Sequence, residues 1–215
     1  MNVSLPLFFR VRWIKNLCVL ACGAGALLMA AAAGAQLRDA ALLKPPGGAR
    51  VAIVEFDDLQ CPACAHANPL LEQAAAKYKI PWIRHDFLIS YHNWSKQAAL
   101  NARWFDTRSK ELGDEYRNQV FANQNSIETP VQLIQFTQRF AQSHGTAVPF
   151  SVDPQGKLQA AIDADIELGK RIGITETPTI YIVTDGPKGT SAAQVKNPDQ
   201  DLYSMIDQAM AATRH

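Results

Sequence analysis

The stretch Val51–Ala65, VAIVEFDDLQCPACA, restricts the fold of this chain more than any other. An apolar, β-branched run (Val51, Ala52, Ile53, Val54, then Phe56) reads as a buried strand, and Asp57-Asp58-Leu59-Gln60 as a short polar turn. Cys61-Pro62-Ala63-Cys64 follows and opens a helix-favouring stretch that runs to Lys79. Two cysteines three apart at a first helical turn put the leading sulfur beside unpaired backbone N–H groups and the positive end of the helix dipole. A thiol so placed has its pKa lowered from about 8.5 into the ~3.5–7.5 range and becomes a nucleophile near neutral pH. The second thiol stands one turn later, within reach of a disulfide. Pro62 is tolerated because an N–H at the first helical position lacks an intrahelical partner anyway.

Two other uses of such a pair stand beside redox exchange. Zinc asks for four ligands, but there is no second C-x-x-C, and His66, His85, His92 and His144 are scattered without knuckle spacing. A structural bridge is the other use, though one closing so short a loop constrains the unfolded chain little.

The residues resemble the thioredoxin superfamily, and within it the DsbA-like branch of thiol–disulfide oxidoreductases. The strand–CPAC–helix unit carries the resemblance, with Glu55 ahead of Cys61, Pro69 within the helix, and the segment Gly173-Ile174-Thr175-Glu176-Thr177-Pro178-Thr179. The long span between the dithiol helix and that segment matches a helical insertion of the DsbA-like branch. The resemblance implies an α/β fold: a thioredoxin-like mixed sheet flanked by helices, with an inserted helical subdomain at about 93–172. It also implies that Glu55 is a buried acid relaying protons to Cys64, that Pro178 is cis and faces the dithiol, and that Thr177 and Pro178 contact the substrate chain. Cys61 and Cys64 would alternate between dithiol and disulfide. Pro-Ala replaces the Pro-His between the cysteines of strongly oxidising members, so a milder oxidant is expected.

The N-terminus reads as an address. Arg10, Arg12 and Lys15 form a basic region, and an apolar stretch from Leu17 ends in Ala33-Gly34-Ala35, so residues 1–35 read as a secretory signal cleaved after Ala35. A retained anchor is the rival, because the stretch is close to the ~17–25 residues that span a bilayer. Cys18 and Cys22 lie inside this segment, which leaves Cys61 and Cys64 as the exported chain's only thiols. An oxidising compartment permits stapling disulfides, and none is spent on the fold. Net charge is +1 and becomes −2 without the three basic residues of the signal; nothing marks a nucleic-acid surface.

Residues 36–49, with Pro45-Pro46-Gly47-Gly48, read as a linker in which Leu37, Leu42 and Leu43 form a short helix or an edge strand, and 50–215 as the domain. The Cys61 helix is expected to turn Ala65, Leu71, Ala75 and Tyr78 inward. Ile80–Ile89 reads as a strand parallel to the first, completing a right-handed βαβ unit. Helices are expected from a Ser95 cap to about Glu111, from Asp114 to Asn123, from Thr129-Pro130 to His144-Gly145 with Leu133, Ile134, Phe136, Phe140 and Ala141 as its apolar face, and from an Asp153-Pro154 cap to about Gly169. A hairpin from Thr179 and a last helix capped by Asp199 or Asp201 close the domain. His66 reads as a solvent-facing residue or a support for the thiolate, and His85 and His92 as structural.

Taken together, the expectation is a periplasmic or other envelope thiol–disulfide oxidoreductase acting on cysteine-containing exported proteins, as a monomer and without a prosthetic group. A membrane quinone-linked oxidase is the regenerating partner that the family implies. An envelope reductase or isomerase is the first alternative, separated by reduction potential and by refolding of scrambled substrate. A module delivering copper through Cys61 and Cys64 is the second, separated by metal stoichiometry.

Overall fold

Val51–Asp57 forms β1, and every one of its residues is buried. The computed structural model describes residues 40–187 and 189–213; the segment read as a signal, 1–35, lies outside them, as does the start of the linker. The sheet order is β2-β1-β3-β4, with β2 Trp82–Asp86, β3 Thr179–Gly186 and β4 Gly189–Val195. β2 runs parallel to β1, whereas β3 is antiparallel to β1 and β4 to β3. Helix α1 (Pro62–Tyr78) makes the crossover from β1 to β2. Helices α2 (Ser95–Asp106), α3 (Lys110–Ala122), α4 (Pro130–Ser143) and α5 (Lys157–Ile172) lie between β2 and β3 in the chain, and α6 (Pro198–Ala212) ends it. No helix among the described residues is long and apolar enough to cross a membrane.

Alternation along β1 sets the two layers, because successive strand side chains point to opposite faces. Val51 and Ile53 pack with Ala67, Leu71 and Ala74 of α1 and with Leu202, Ile206 and Ala209 of α6. Val54 and Phe56 pack on the other face with Phe87, Ile174 and Val183, flanked by Leu168 and Ile172 of α5. Gly169 admits α5 to this face: a Cβ there would sit 2.6 Å from the Phe87 ring. Gly169→Ala is therefore expected to destabilise the fold by about 1–3 kcal/mol through overpacking, read as a lower urea midpoint. An unchanged midpoint would mean that α5 is not held this close. A third cluster joins Phe105, Tyr116, Val120, Leu133 and Phe140 of α2–α4 to Leu59, Cys61 and Cys64.

Several boundaries differ from the sequence reading. The linker belongs in part to the domain: Ala40–Leu43 forms a short 3-10 helix, and Leu43 is buried in the cluster of Val54, Phe56 and Val183. Burying a leucine contributes roughly 1.5–3 kcal/mol, which outweighs the turn-forming prolines that follow. On α1 the buried stripe is Cys64, Ala67, Asn68, Leu71 and Ala74, whereas Ala65, Ala75 and Tyr78 stay half-buried. The expected strand Ile80–Ile89 is paired only from Trp82 to Asp86, where β1 runs out of partners. Ser95 is a buried helical residue rather than a cap, α2 stops at Asp106, and Ser109 caps α3 by accepting from Leu112 N. Thr129 caps α4 through a capping box with Gln132, but Ile134 is exposed. Helix α5 starts after Gly156 (φ 69°), and Asp153 instead accepts from Gln159 N at 2.8 Å. Asn197, not Asp199 or Asp201, is the N-cap of α6; Pro198 takes the first helical position and Asp201 accepts from Asn197 N.

Candidate active site

The register of β3 brings two distant sequence motifs together. Thr179 pairs with Phe56, so the loop ending in Thr177-Pro178 lands beside the turn from β1 into α1. Cys61 is the N-cap of α1 (φ −80°, ψ 120°), Pro62 is its first residue, and Cys64 is fully buried one turn in. Both are free thiols, 3.5 Å apart. Cys61 N donates to Asp58 O at 2.9 Å, which tightens the turn. The Cys61 Sγ–H donates to the Thr177 carbonyl at 3.2 Å, and the Thr177–Pro178 peptide is cis.

The two sulfurs are driven apart in acidity. The Cys61 pKa is lowered to about 5, first because the Cys64 S–H donates to its thiolate; the Thr177 hydroxyl and the backbone N–H groups of Cys64 and Ala63 act in the same direction, and burial opposes them. Thr177 Oγ1 is buried and otherwise unpartnered, so that hydroxyl is available to the ionised sulfur. Cys64 is pushed well up by burial, then by its bond to Cys61 and by the charges of Glu55 and Asp57. Alkylation of Cys61 by iodoacetamide should therefore proceed at a constant rate from pH 8 to 6 and fall only near pH 5. An unperturbed cysteine, ionising at about 8.5, loses about tenfold per pH unit throughout that range; seeing that slope for Cys61 would remove the thiolate from the site.

Beneath the dithiol lies a buried polar cluster. Glu55 is 1% exposed; its Oε2 accepts from Trp82 Nε1 at 3.0 Å and its Oε1 has no partner. Burial, with Asp57 nearby, raises its pKa to about 8 against the opposing pull of Arg84. Asp57 ends β1 rather than lying in the polar turn, is 2% exposed, and leaves Oδ2 unpartnered. Burial raises it to about 7, with Arg84 opposing. The Arg84 guanidinium stacks on the Trp82 ring at 3.7 Å, donates through Nη2 to Asn68 and to Asn118 (3.0 Å), and leaves Nε and Nη1 unpartnered. Sequence reasoning missed Asp57 and Arg84 as site residues. The available signal was the alternation itself, which sends Ile53, Glu55 and Asp57 to one face of β1 and Trp82 and Arg84 to the same face of β2.

The described histidines are engaged by carboxylates. His66 meets Asp199 at 3.2 Å on the surface, His144 meets Glu115 at 3.1 Å, and His85 meets Asp165 at 2.7 Å and stacks on Phe56. His92 donates through Nδ1 to Asp58 at 2.9 Å, the carboxylate that also accepts from Gln60 N and Ile89 N in the turn before Cys61. Gln124 completes the frame by donating to the Leu59 carbonyl at 2.7 Å and the Cys61 carbonyl at 3.1 Å.

The family model described as thioredoxin matches residues 47–198. No curated protein sequence matches the chain. Among solved structures it resembles BdbD from Bacillus subtilis (20% identity, TM-score 0.60, covering 78% of this chain and 89% of that one). It likewise resembles the thiol-disulfide exchange protein alpha-DsbA2 from Wolbachia pipientis (18%, TM-score 0.59, 77% and 84%). A periplasmic thioredoxin-like protein from Salmonella enterica serovar Typhimurium is similar at 20% identity and TM-score 0.60, covering 78% and 88%. At these identities the likeness is one of fold.

Proposed function

The chain belongs to the thioredoxin family, and from that premise we propose that it is an envelope thiol–disulfide oxidoreductase that donates disulfides to exported proteins. One observation carries the reading: the Cys61 sulfur sits at the N-cap of α1 beside the cis Thr177–Pro178 peptide, 3.5 Å from the buried Cys64 thiol, a placement that lowers Cys61 to about 5 and raises Cys64. In the disulfide form, a substrate thiolate attacks Cys61 Sγ, the Cys61–Cys64 bond breaks, and Cys64 leaves as a thiolate that takes up a proton. A second substrate thiolate then attacks the substrate sulfur of the mixed disulfide and expels Cys61 as its stable thiolate. The substrate disulfide has formed and the dithiol is reduced; no prosthetic group is required. Glu55, held near pKa 8, supplies the proton for Cys64.

Stabilising the thiolate stabilises the dithiol form and makes the disulfide more oxidising. A value of about 5 lies between roughly 7 for thioredoxin and 3.5 for DsbA, which fits a milder oxidant. The substrate chain would lie extended beside Thr177 and Pro178, pairing its backbone with the loop. A membrane oxidase linked to quinones would restore the disulfide, and the segment 1–35 would direct export.

The test is equilibration with glutathione together with refolding of a reduced protein. The expected potential lies between the roughly −270 mV of thioredoxin and −120 mV of DsbA, with fast oxidation of reduced substrate and poor reshuffling of scrambled bonds. A potential at or below that of thioredoxin, or efficient reshuffling without oxidation, would reject the donor direction in favour of a reductase or an isomerase.

A further inference from the structure

We propose that Asp57 is the proton-holding partner of Glu55: the two buried carboxyls share one proton at neutral pH and exchange it with Cys64. The inference rests on the exchange reading above. Glu55 and Asp57 are two apart on the same face of β1, each almost completely buried and each with one oxygen lacking a hydrogen-bond partner. Arg84 stands opposite Glu55 in the parallel register, with two of its own nitrogens unpartnered in the same buried region. Two carboxylates and one guanidinium leave one uncompensated negative charge where water cannot screen it, so one of the carboxyls holds a proton.

Every packed element supports this balance. From β2, Asp86 is bound by Arg103 at 2.7 Å. From α3, Arg117 is bound by Asp106 at 2.6 and 2.8 Å. From α1, Asn68 and Cys64 are uncharged, and Cys61 bears on Glu55 from the helix start. Asp58, in the turn after β1, is engaged by His92. Arg84 is thus the cation, among the described residues, whose hydrogen-bonding capacity remains open at the pair.

The step balances as follows. When the substrate thiolate opens the Cys61–Cys64 bond, the Cys64 thiolate takes the shared proton and the pair becomes fully ionised beside Arg84. When Cys64 later closes the ring on a mixed disulfide, its S–H proton returns to the pair, its sulfur displaces the substrate thiolate from Cys61, and that thiolate is reprotonated by solvent. Neither direction needs a co-reactant beyond substrate and disulfide.

The experiment follows closure of a mixed disulfide between Cys61 and a small chromogenic thiol in the full chain, from pH 5 to 9. Asp57→Asn and Glu55→Gln are each expected to slow closure at pH 7 by about tenfold, since one carboxyl of the pair remains, and the double variant by on the order of 10²-fold, the low end of the usual range for a lost proton acceptor. The profile of Asp57→Asn should also lose one of its two inflections, a change of shape that lost packing does not produce. A second readout follows the proton itself. The infrared difference between disulfide and dithiol forms should carry a protonated-carboxyl band in the wild type and lose it in Asp57→Asn and in Glu55→Gln alike, because a single carboxylate is balanced by Arg84. A wild-type pH shape in Asp57→Asn, or a band that persists in Asp57→Asn and vanishes only in Glu55→Gln, overturns the role of Asp57 while leaving exchange through Cys61 intact. A wild-type chain that never closes the mixed disulfide overturns the exchange reading itself.

Discussion

Cys64→Ser is expected to convert the chain into a trap: its Cys61 thiolate should open substrate disulfides, expel one substrate sulfur as a thiolate and leave mixed disulfides that persist, whereas Cys61→Ser should show no exchange. The reason lies in which donor holds the thiolate. The bond from Cys64 is the largest influence lowering Cys61, and a serine hydroxyl in its place still donates. Cys61 therefore stays ionised and attacks, but no second sulfur remains to displace the captured partner. Cys64→Ala separates the two roles. It should trap as well, yet its Cys61 should ionise at a higher pH, because the donor is gone. Non-reducing electrophoresis and alkylation rates read both effects. If Cys61→Ser still exchanges while Cys64→Ser captures nothing, the assignments of attacking and resolving sulfur are reversed.

The second large effect concerns stability. The folded pKa of Glu55 is raised from 4.5 to about 8, so the folded chain keeps a proton that the unfolded chain gives up. The stability tied to that proton is fully present below pH 4.5 and is lost as pH rises through about 8. Glu55→Gln removes the ionisable group and keeps the hydrogen bond to Trp82. At 1.36 kcal/mol per unit, the variant should gain about 3–5 kcal/mol over the wild type at pH 8.5 and nothing at pH 4. Asp57, raised to about 7, follows the same sign over a lower window. Urea melts at the two pH values decide the matter: a gap that does not change with pH would mean that Glu55 is not held in its neutral form. A more stable Glu55→Gln with slower exchange is the trade expected where a buried charge serves chemistry rather than folding.

The central strand, the dithiol turn and the α1 crossover were legible in the sequence because periodicity and turn chemistry act locally there. The cysteine pair announces its own helix, and Thr129-Pro130 announces α4. What was not legible depends on the register between strands. Asp57 looks like the start of a polar turn until β2 extends along it to Asp86, at which point it becomes interior. Arg84 looks like the exposed side of a strand until α1 and α3 cover it with Asn68 and Asn118. Likewise Leu43 has no partner in its own segment; the cavity that it fills is built by Val54 and Val183, far along the chain. His66 illustrates the reverse case: its place just past the dithiol invites a part in holding the thiolate, and tertiary geometry pairs it with Asp199 on the surface.

Gln124, in the short 3-10 helix Gln124–Ser126 that follows α3, holds the Leu59 and Cys61 carbonyls, and Phe105, Tyr116 and Phe140 pack in the same cluster as Cys64. The helical insertion is therefore an insulating sleeve as well as an addition to the surface. A minimised scaffold cut down to the four strands and their flanking helices would retain the CPAC letters but expose the inner sulfur to bulk solvent. The inner thiol would lose the burial that raises it most, and the gap in acidity between attacker and resolver would narrow with the covering that widens it.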